Sequence, residues 1–220
     1  MEPTTIDLQS FRQKLARGKS STARFSVDRY VSQVPELLTE CYAHIVRSRG
    51  REFIADAATT SHIASVARWL TSGQKPGLFL YGLPGNGKTT LARAISLLID
   101  TLYFSTFSVE RKQVVGISAL NLTESARNEN KARLRALQSA ELLFIDDVGT
   151  EPSTVKVWGN EVSPLVDLLY YRYDHRLFTL VTSNLIGDGD IERRYGLRIA
   201  DRFAEMFDLL GFDNDSYRRR

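Results

Sequence analysis

Eight consecutive residues constrain this chain more than any others. Gly82-Leu83-Pro84-Gly85-Asn86-Gly87-Lys88-Thr89 fit the pattern G-x-x-x-x-G-K-[ST] at every fixed position. Gly77-Leu78-Phe79-Leu80-Tyr81 before them reads as a short buried strand. Thr90 to Leu98 after them reads as a helix. Strand, glycine-rich turn and helix in that order form a phosphate cradle. The glycines let successive backbone N–H groups turn inward, and the helix N-terminus adds partial positive charge. Lys88 then reaches the β- and γ-phosphates of a nucleotide, and Thr89, with Thr90 beside it, completes the binding segment, Thr89 as a Mg²⁺ ligand.

A second pattern supports the first. Leu142-Leu143-Phe144-Ile145 is an apolar run of the kind that forms a buried parallel strand, and it ends in Asp146-Asp147. Two adjacent carboxylates at the end of a buried strand are costly unless a cation or hydrogen bonds compensate them. Mg²⁺ is the expected compensation, with Asp146 in its shell and Asp147 polarising the attacking water as general base. The alternative is that the pair only caps the turn Val148-Gly149-Thr150.

Further along, Leu177 to Thr182 reads as a strand ending in Ser183-Asn184, so Asn184 is a candidate to position the attacking water or touch the γ-phosphate. An asparagine that merely starts a turn is the competing reading.

The remaining elements are expected as follows. Val34–Val46 has helical spacing, and a second helix starts at an N-cap Ser61 and closes at Gly73, with Trp69 on its buried face. Leu102–Phe107 reads as a strand, Ser118–Ala140 as one long polar helix, Glu161–Tyr173 as a helix, 188–207 as a helical segment and Leu209–Phe212 as a last strand. Residues 1–25 are polar with weak helical spacing at Ile6, Leu8, Phe11 and Leu15, and Lys19–Ala23 resembles a linker. Strands alternating with helices imply an α/β fold, a parallel sheet flanked by helices, whose ligands bind at the carboxyl ends of the strands.

The net charge of +3 is unevenly placed: residues 1–51 carry nine Lys/Arg against five Asp/Glu, and the remainder twenty against twenty-one. A basic segment of this kind contacts nucleic acid or an acidic partner, or only solubilises the chain. A single cysteine, Cys41, excludes an internal disulfide and any cysteine-rich zinc site. No apolar run approaches the ~20 residues of a membrane span, and the first residues lack a signal pattern, so a cytoplasmic protein with no membrane partner is expected.

These residues together resemble an AAA+ ATPase of the DnaC/IstB-like branch over about residues 76–220. GLPGNGKTTLARAI resembles its Walker A, LLFIDDVGTEP its Walker B and LVTSNL its sensor 1. RYGLRIADRF, followed by FDNDSYRRR, is similar to bacterial replicative helicase loaders of the DnaC type. The resemblance implies that Arg198 or Arg202 acts as a finger on a neighbouring subunit's γ-phosphate, and that Arg218 is the sensor 2 residue. It also implies ATP and Mg²⁺ as cofactors, weak DNA-stimulated hydrolysis, self-association through the ATP site, single-stranded DNA and a replicative helicase as partners.

On that basis residues 1–50 form a small partner-binding region and 51–220 the ATPase domain, with 108–140, including Arg127, Lys131, Arg133 and Arg135, as the place for DNA contacts. An IstB-like transposition helper shares every feature of the ATP site and is the alternative. A small-molecule kinase lacks support, because no arginine-rich lid or acceptor site is recognisable. A scaffold without hydrolysis is disfavoured by intact Lys88, Thr89, Asp146 and Asp147.

Overall fold

The computed structural model describes residues 7–9, 12–13, 24–104, 111–157, 159–186 and 188–219. The linker expected at Lys19–Ala23 and the spacing at Ile6, Phe11 and Leu15 lie outside them.

Helix α1 is Val34–Ser48, started by Pro35 in its first turn, and α2 is Ala57–Ser72. The cap of α2 is Asp56 rather than Ser61, because the Asp56 carboxylate accepts from Thr59 N at 2.8 Å and so starts the helix earlier. Gly73 closes it as expected. Strand β1 (Gly77–Gly82) leads through the glycine-rich turn into α3 (Lys88–Phe104). The strand expected at Leu102–Phe107 is instead the last turn of α3 over Leu102–Phe104, and residues 105–107 lie outside the description. Leu91, Ile95, Leu98 and Leu102 recur every three or four residues and are all buried, so helical packing overrides the strand preference of the aromatic residues there.

Strand β2 is Val114–Ser118. The long helix expected at 118–140 is two: α4 (Ala119–Arg127), capped by Ser118, and α5 (Lys131–Ser139), capped by Asn130, whose side chain accepts from Arg133 N at 3.0 Å. Glu129 between them has φ 54°, which no helix tolerates. Strand β3 is Leu142–Val148, and β4 (Val155–Val157) with β5 (Asn160–Val162) forms an antiparallel hairpin. Glu161 therefore lies in a strand, and the expected helix begins at Pro164 as α6 (Pro164–Asp174). After β6 (Phe178–Ser183), the segment 188–207 splits into α7 (Asp188–Tyr195) and α8 (Leu197–Met206), parted by Gly196 at φ 90°. Phe207 already belongs to β7 (Phe207–Phe212), and a short 3₁₀ turn follows at Tyr217–Arg219.

The main sheet has the order β2-β3-β6-β1-β7, with every pair parallel. Side chains alternate across it. Leu78, Leu80, Leu142, Phe144, Phe178 and Leu180 face a core shared with α1, α2 and α3. Phe79, Leu143, Ile145, Val181 and Phe207 face the other, shared with α4 to α6 and α8. Trp69 is buried in the first core, and Cys41 packs at its edge. No described helix is long and apolar enough to cross a membrane.

Candidate nucleotide site

The carboxyl ends of β1, β3 and β6 open onto one cavity of about 870 Å³. Pro84 to Thr90, Asp146, Asp147, Asn184 and Arg218 all line it. The glycine-rich turn is held from behind. Asn86, buried, donates from Nδ2 to the Phe212 carbonyl at 2.9 Å, which ties the turn to β7. Gly82 is required here: φ is 137°, and a Cβ would stand 2.2 Å from the Phe212 carbonyl oxygen.

Lys88 is buried, and its Nζ donates to the Gly82 carbonyl at 2.7 Å, the Leu83 carbonyl at 2.8 Å and Asn86 Oδ1 at 3.1 Å. Burial lowers its pKa to about 8 despite the opposing pull of Asp147 and Asp146, while Arg218 adds to the lowering. Exposed Leu83 contributes its backbone carbonyl alone to this cradle.

The acidic pair owes its arrangement to a break in the strand. Successive residues of a regular strand point to opposite faces, which would part Asp146 from Asp147. Here the register with β6 slips: Ile145 pairs with Val181, but Val148 pairs with Ser183. One extra residue is accommodated on β3, and Asp147 takes φ 56°. Both carboxylates then reach the same cavity. Asp146 Oδ1 accepts from Thr89 Oγ1 at 2.9 Å and from Thr182 Oγ1 at 2.6 Å, and Arg93 Nη2 lies 3.7 Å from Oδ2. Thr182 Oγ1 in turn accepts from Asp147 N at 2.9 Å. The Asp147 carboxyl is pushed above the usual range by burial and then by Asp146, with Lys88, Arg218 and Arg93 pulling it back.

Thr89 and Asp146 fit Mg²⁺. A hydroxyl and a carboxylate in direct contact are hard oxygen donors, and Mg²⁺ needs only one or two protein ligands when phosphates and water supply the rest.

One wall of the cavity is less polar. Tyr42 and Val46 of α1, with Phe53 and Ile54, form a wall in which the Tyr42 and Phe53 rings lie 5.8 Å apart. Arg49 and Arg51 stand at its edge, and Arg49 Nη1 donates to Thr90 Oγ1 at 3.1 Å.

Arg198 and Arg202 do not line the cavity. Both lie on α8, whose Ile199, Phe203 and Met206 are buried. Arg198 is exposed, whereas the Arg202 guanidinium sits 4.5 Å from the Tyr170 ring centroid and 5.5 Å from that of Tyr173. Sequence reasoning did not assign Thr182, Arg93, Arg49 or the α1 wall to this site. Only the Thr182 position, one residue before the strand end, carried a signal, because a hydroxyl there faces a neighbouring strand's end.

Residues 78–175 match the family model described as "ATPase family associated with various cellular activities (AAA)". A curated relative, the ATPase-like fidgetin of Schizosaccharomyces pombe, is 32% identical over 91 residues, which is 39% of this chain but 12% of that protein's length. Among solved structures, the DnaC helicase loader superposes with a TM-score of 0.57 at 19% identity, covering 78% of this chain and 98% of that one. The replication initiator DnaA bound to AMPPCP and single-stranded DNA gives 0.52 at 18% identity, covering 74% and 49%. At such identities the superpositions speak to fold alone. The chain has the AAA+ P-loop fold in a DnaC-like arrangement, and its residues 78–175 carry the sequence pattern of the AAA ATPases.

Proposed function

We propose that the protein is an ATP-hydrolysing, DNA-binding loader for a replicative helicase. The observation that carries the catalytic half is the bulge at Asp146-Asp147, which turns both carboxylates toward Lys88, Thr89 and Arg218 in one cavity. In this reading the Gly82–Thr90 segment binds the phosphates of ATP, and the Tyr42–Phe53 wall receives the base. Thr89 and Asp146 would hold Mg²⁺, which would supply positive charge against the phosphates. Asp147 accepts the proton of the attacking water, which Asn184 orients. Lys88 and Arg218 stabilise charge on the departing γ-phosphoryl.

A guanidinium from a second copy completes the site. Arg198 suits that role better than Arg202, because it is exposed while Arg202 is engaged by Tyr170 and Tyr173. The loader half of the proposal draws on the DnaC-like fold and on the exposed cations Arg127, Lys131, Arg133 and Arg135 along α4 and α5, which would track single-stranded DNA. Within the basic segment 1–50, the residues before α1 are the proposed helicase-binding part, because α1 packs into the core and Tyr42, Val46 and Arg49 line the cavity.

The test is a pull-down of a purified bacterial replicative helicase by the full chain, with and without ATP, alongside Lys88→Ala. ATP-dependent capture by the wild type, lost in the variant, is expected. Capture of a transposase in place of the helicase would favour a transposition helper, and absence of ATP turnover by the wild type would remove the enzymatic reading.

A further inference from the structure

After β7 the chain doubles back as a strap across the glycine-rich turn. Asn214 Nδ2 donates to the Asn86 carbonyl at 3.2 Å, and Tyr217 N to the Gly85 carbonyl at 2.9 Å. Contact is close enough that a Cβ on Gly85, where φ is 88°, would stand 2.2 Å from Ser216 Oγ. A Cβ on Gly87 would stand 3.3 Å from Tyr217 Cε2, so the tyrosine ring lies on the turn itself.

The phenol of Tyr217 is fastened elsewhere. Its hydroxyl donates to Asp56 Oδ1 at 3.0 Å and shares a hydrogen bond with Thr59 Oγ1 at 2.9 Å, and Arg51 Nη1 donates to its carbonyl at 3.2 Å. The Asp56 carboxylate is itself fixed, because it caps α2. These bonds join positions separated by 158 to 166 residues in the chain. The next residue, Arg218, lines the cavity, and its Cδ lies against the glycine-rich turn, 3.4 Å from where a Cβ on Gly85 would stand. It therefore stands within reach of a phosphate held by that turn. The 3₁₀ turn that carries it is three residues long, too short to hold its shape without tertiary support.

We infer that Tyr217 is a positioning residue: by anchoring the strap to Asp56 and Thr59 it sets Arg218 against the terminal phosphate, and so favours a nucleoside triphosphate over a diphosphate. The inference rests on the ATP-site reading above. Its physical basis is preorganisation. A free arginine loses side-chain entropy when it engages a phosphate, and an anchored backbone reduces the ordering still required on binding.

Equilibrium binding of fluorescent ATP and ADP analogues to the full chain tests it, using wild type, Tyr217→Phe, Arg218→Ala and the double variant. Tyr217→Phe keeps the ring on Gly87 and removes only the hydroxyl. Loss of a hydrogen bond to a carboxylate should weaken ATP binding about tenfold and leave ADP within about twofold. Because Tyr217 acts through Arg218, the double variant should bind ATP no more weakly than Arg218→Ala alone. Thr59→Val, which removes the second partner of the phenol, should move ATP affinity in the same direction. Equal weakening of ATP and ADP, additive losses in the double variant, or an unchanged ATP affinity would each overturn the assignment. A wild-type chain that bound neither nucleotide would overturn the ATP-site reading along with it.

Discussion

Replacing Thr182 with valine should damage the acidic strand end more than any other single isosteric change. Thr182 is fully buried, and its one hydroxyl does two things: it donates to Asp146 Oδ1 at 2.6 Å and accepts from Asp147 N at 2.9 Å. Valine fills the same space and can do neither. The bond to the carboxylate contributes about 1.5–3 kcal/mol and the neutral one about 0.5–1.5 kcal/mol. Asp146 retains its bond from Thr89 and its nearby Arg93, so a net loss of about 2–4 kcal/mol is expected.

The Asp147 N–H bond also offsets a backbone conformation, φ 56°, that costs a non-glycine residue about 1–2 kcal/mol. Without it the bulge relaxes and the Asp147 carboxylate leaves its place, so turnover of ATP should fall at least about tenfold, as for a displaced general base. Urea unfolding followed by fluorescence measures the first quantity and a phosphate-release assay the second. In a domain of this size the thermal midpoint should drop by roughly 5–15 °C. Thr182→Ser, which keeps the hydroxyl, should stay within about 1.5 kcal/mol of wild type. A Thr182→Val protein within about 0.5 kcal/mol of wild type, the range of changes that touch nothing, would refute the bridging role.

Three further outcomes are expected. Asp147→Asn should bind ATP about as well as wild type yet turn it over roughly a hundredfold more slowly in single-turnover kinetics, as befits a missing base; full turnover would mean the carboxylate is structural. Arg198→Ala should inhibit hydrolysis only at concentrations where the protein assembles, and mixing it with Lys88→Ala should restore activity, since each variant supplies the half that the other lacks; Arg202→Ala should lose less turnover than Arg198→Ala, its guanidinium being held on Tyr170. Cys41 should react with a thiol reagent at pH 8 about a hundredfold more slowly than a free cysteine, because burial, and then Glu40, push its pKa up to about 11 from 9.0. The same raised value means that its contribution to stability is intact below pH 9 and is lost as pH climbs through about 11.

The glycine-rich turn was legible in the sequence because its requirements are local. A turn of positive-φ glycines followed by a lysine at a helix start can be written in eight consecutive residues, and Gly82–Thr89 are those residues. The apolar run before Asp146 and the strand before Asn184 were legible for a related reason: strands buried on both faces are rich in apolar residues, such as Leu142–Ile145 of β3 and Phe178, Leu180 and Val181 of β6. Local pattern failed where a few residues decide between elements. Leu102–Phe104 looked like a strand and became helix because Leu98 and Leu102 share a buried face. Residues 118–140 kept helical spacing through a break that a single residue, Glu129, imposes.

The chemistry of the acidic pair lay further out of reach. Adjacent aspartates say nothing about which face either takes. That is settled by a one-residue slip against β6 and by a threonine on another strand, neither of which has a signature next to Asp147. The strap is the same case at greater distance: Asp56, Gly85 and Tyr217 meet only because α2, the glycine-rich turn and the segment after β7 converge at one end of the sheet. Residue order therefore determined that a turn of positive-φ glycines forms ahead of a lysine at a helix start, since local backbone conformation suffices for it. The three-dimensional packing decided how that turn is finished, because hydrogen bonds between groups far apart in the chain exist only once the sheet has brought them within about 3 Å.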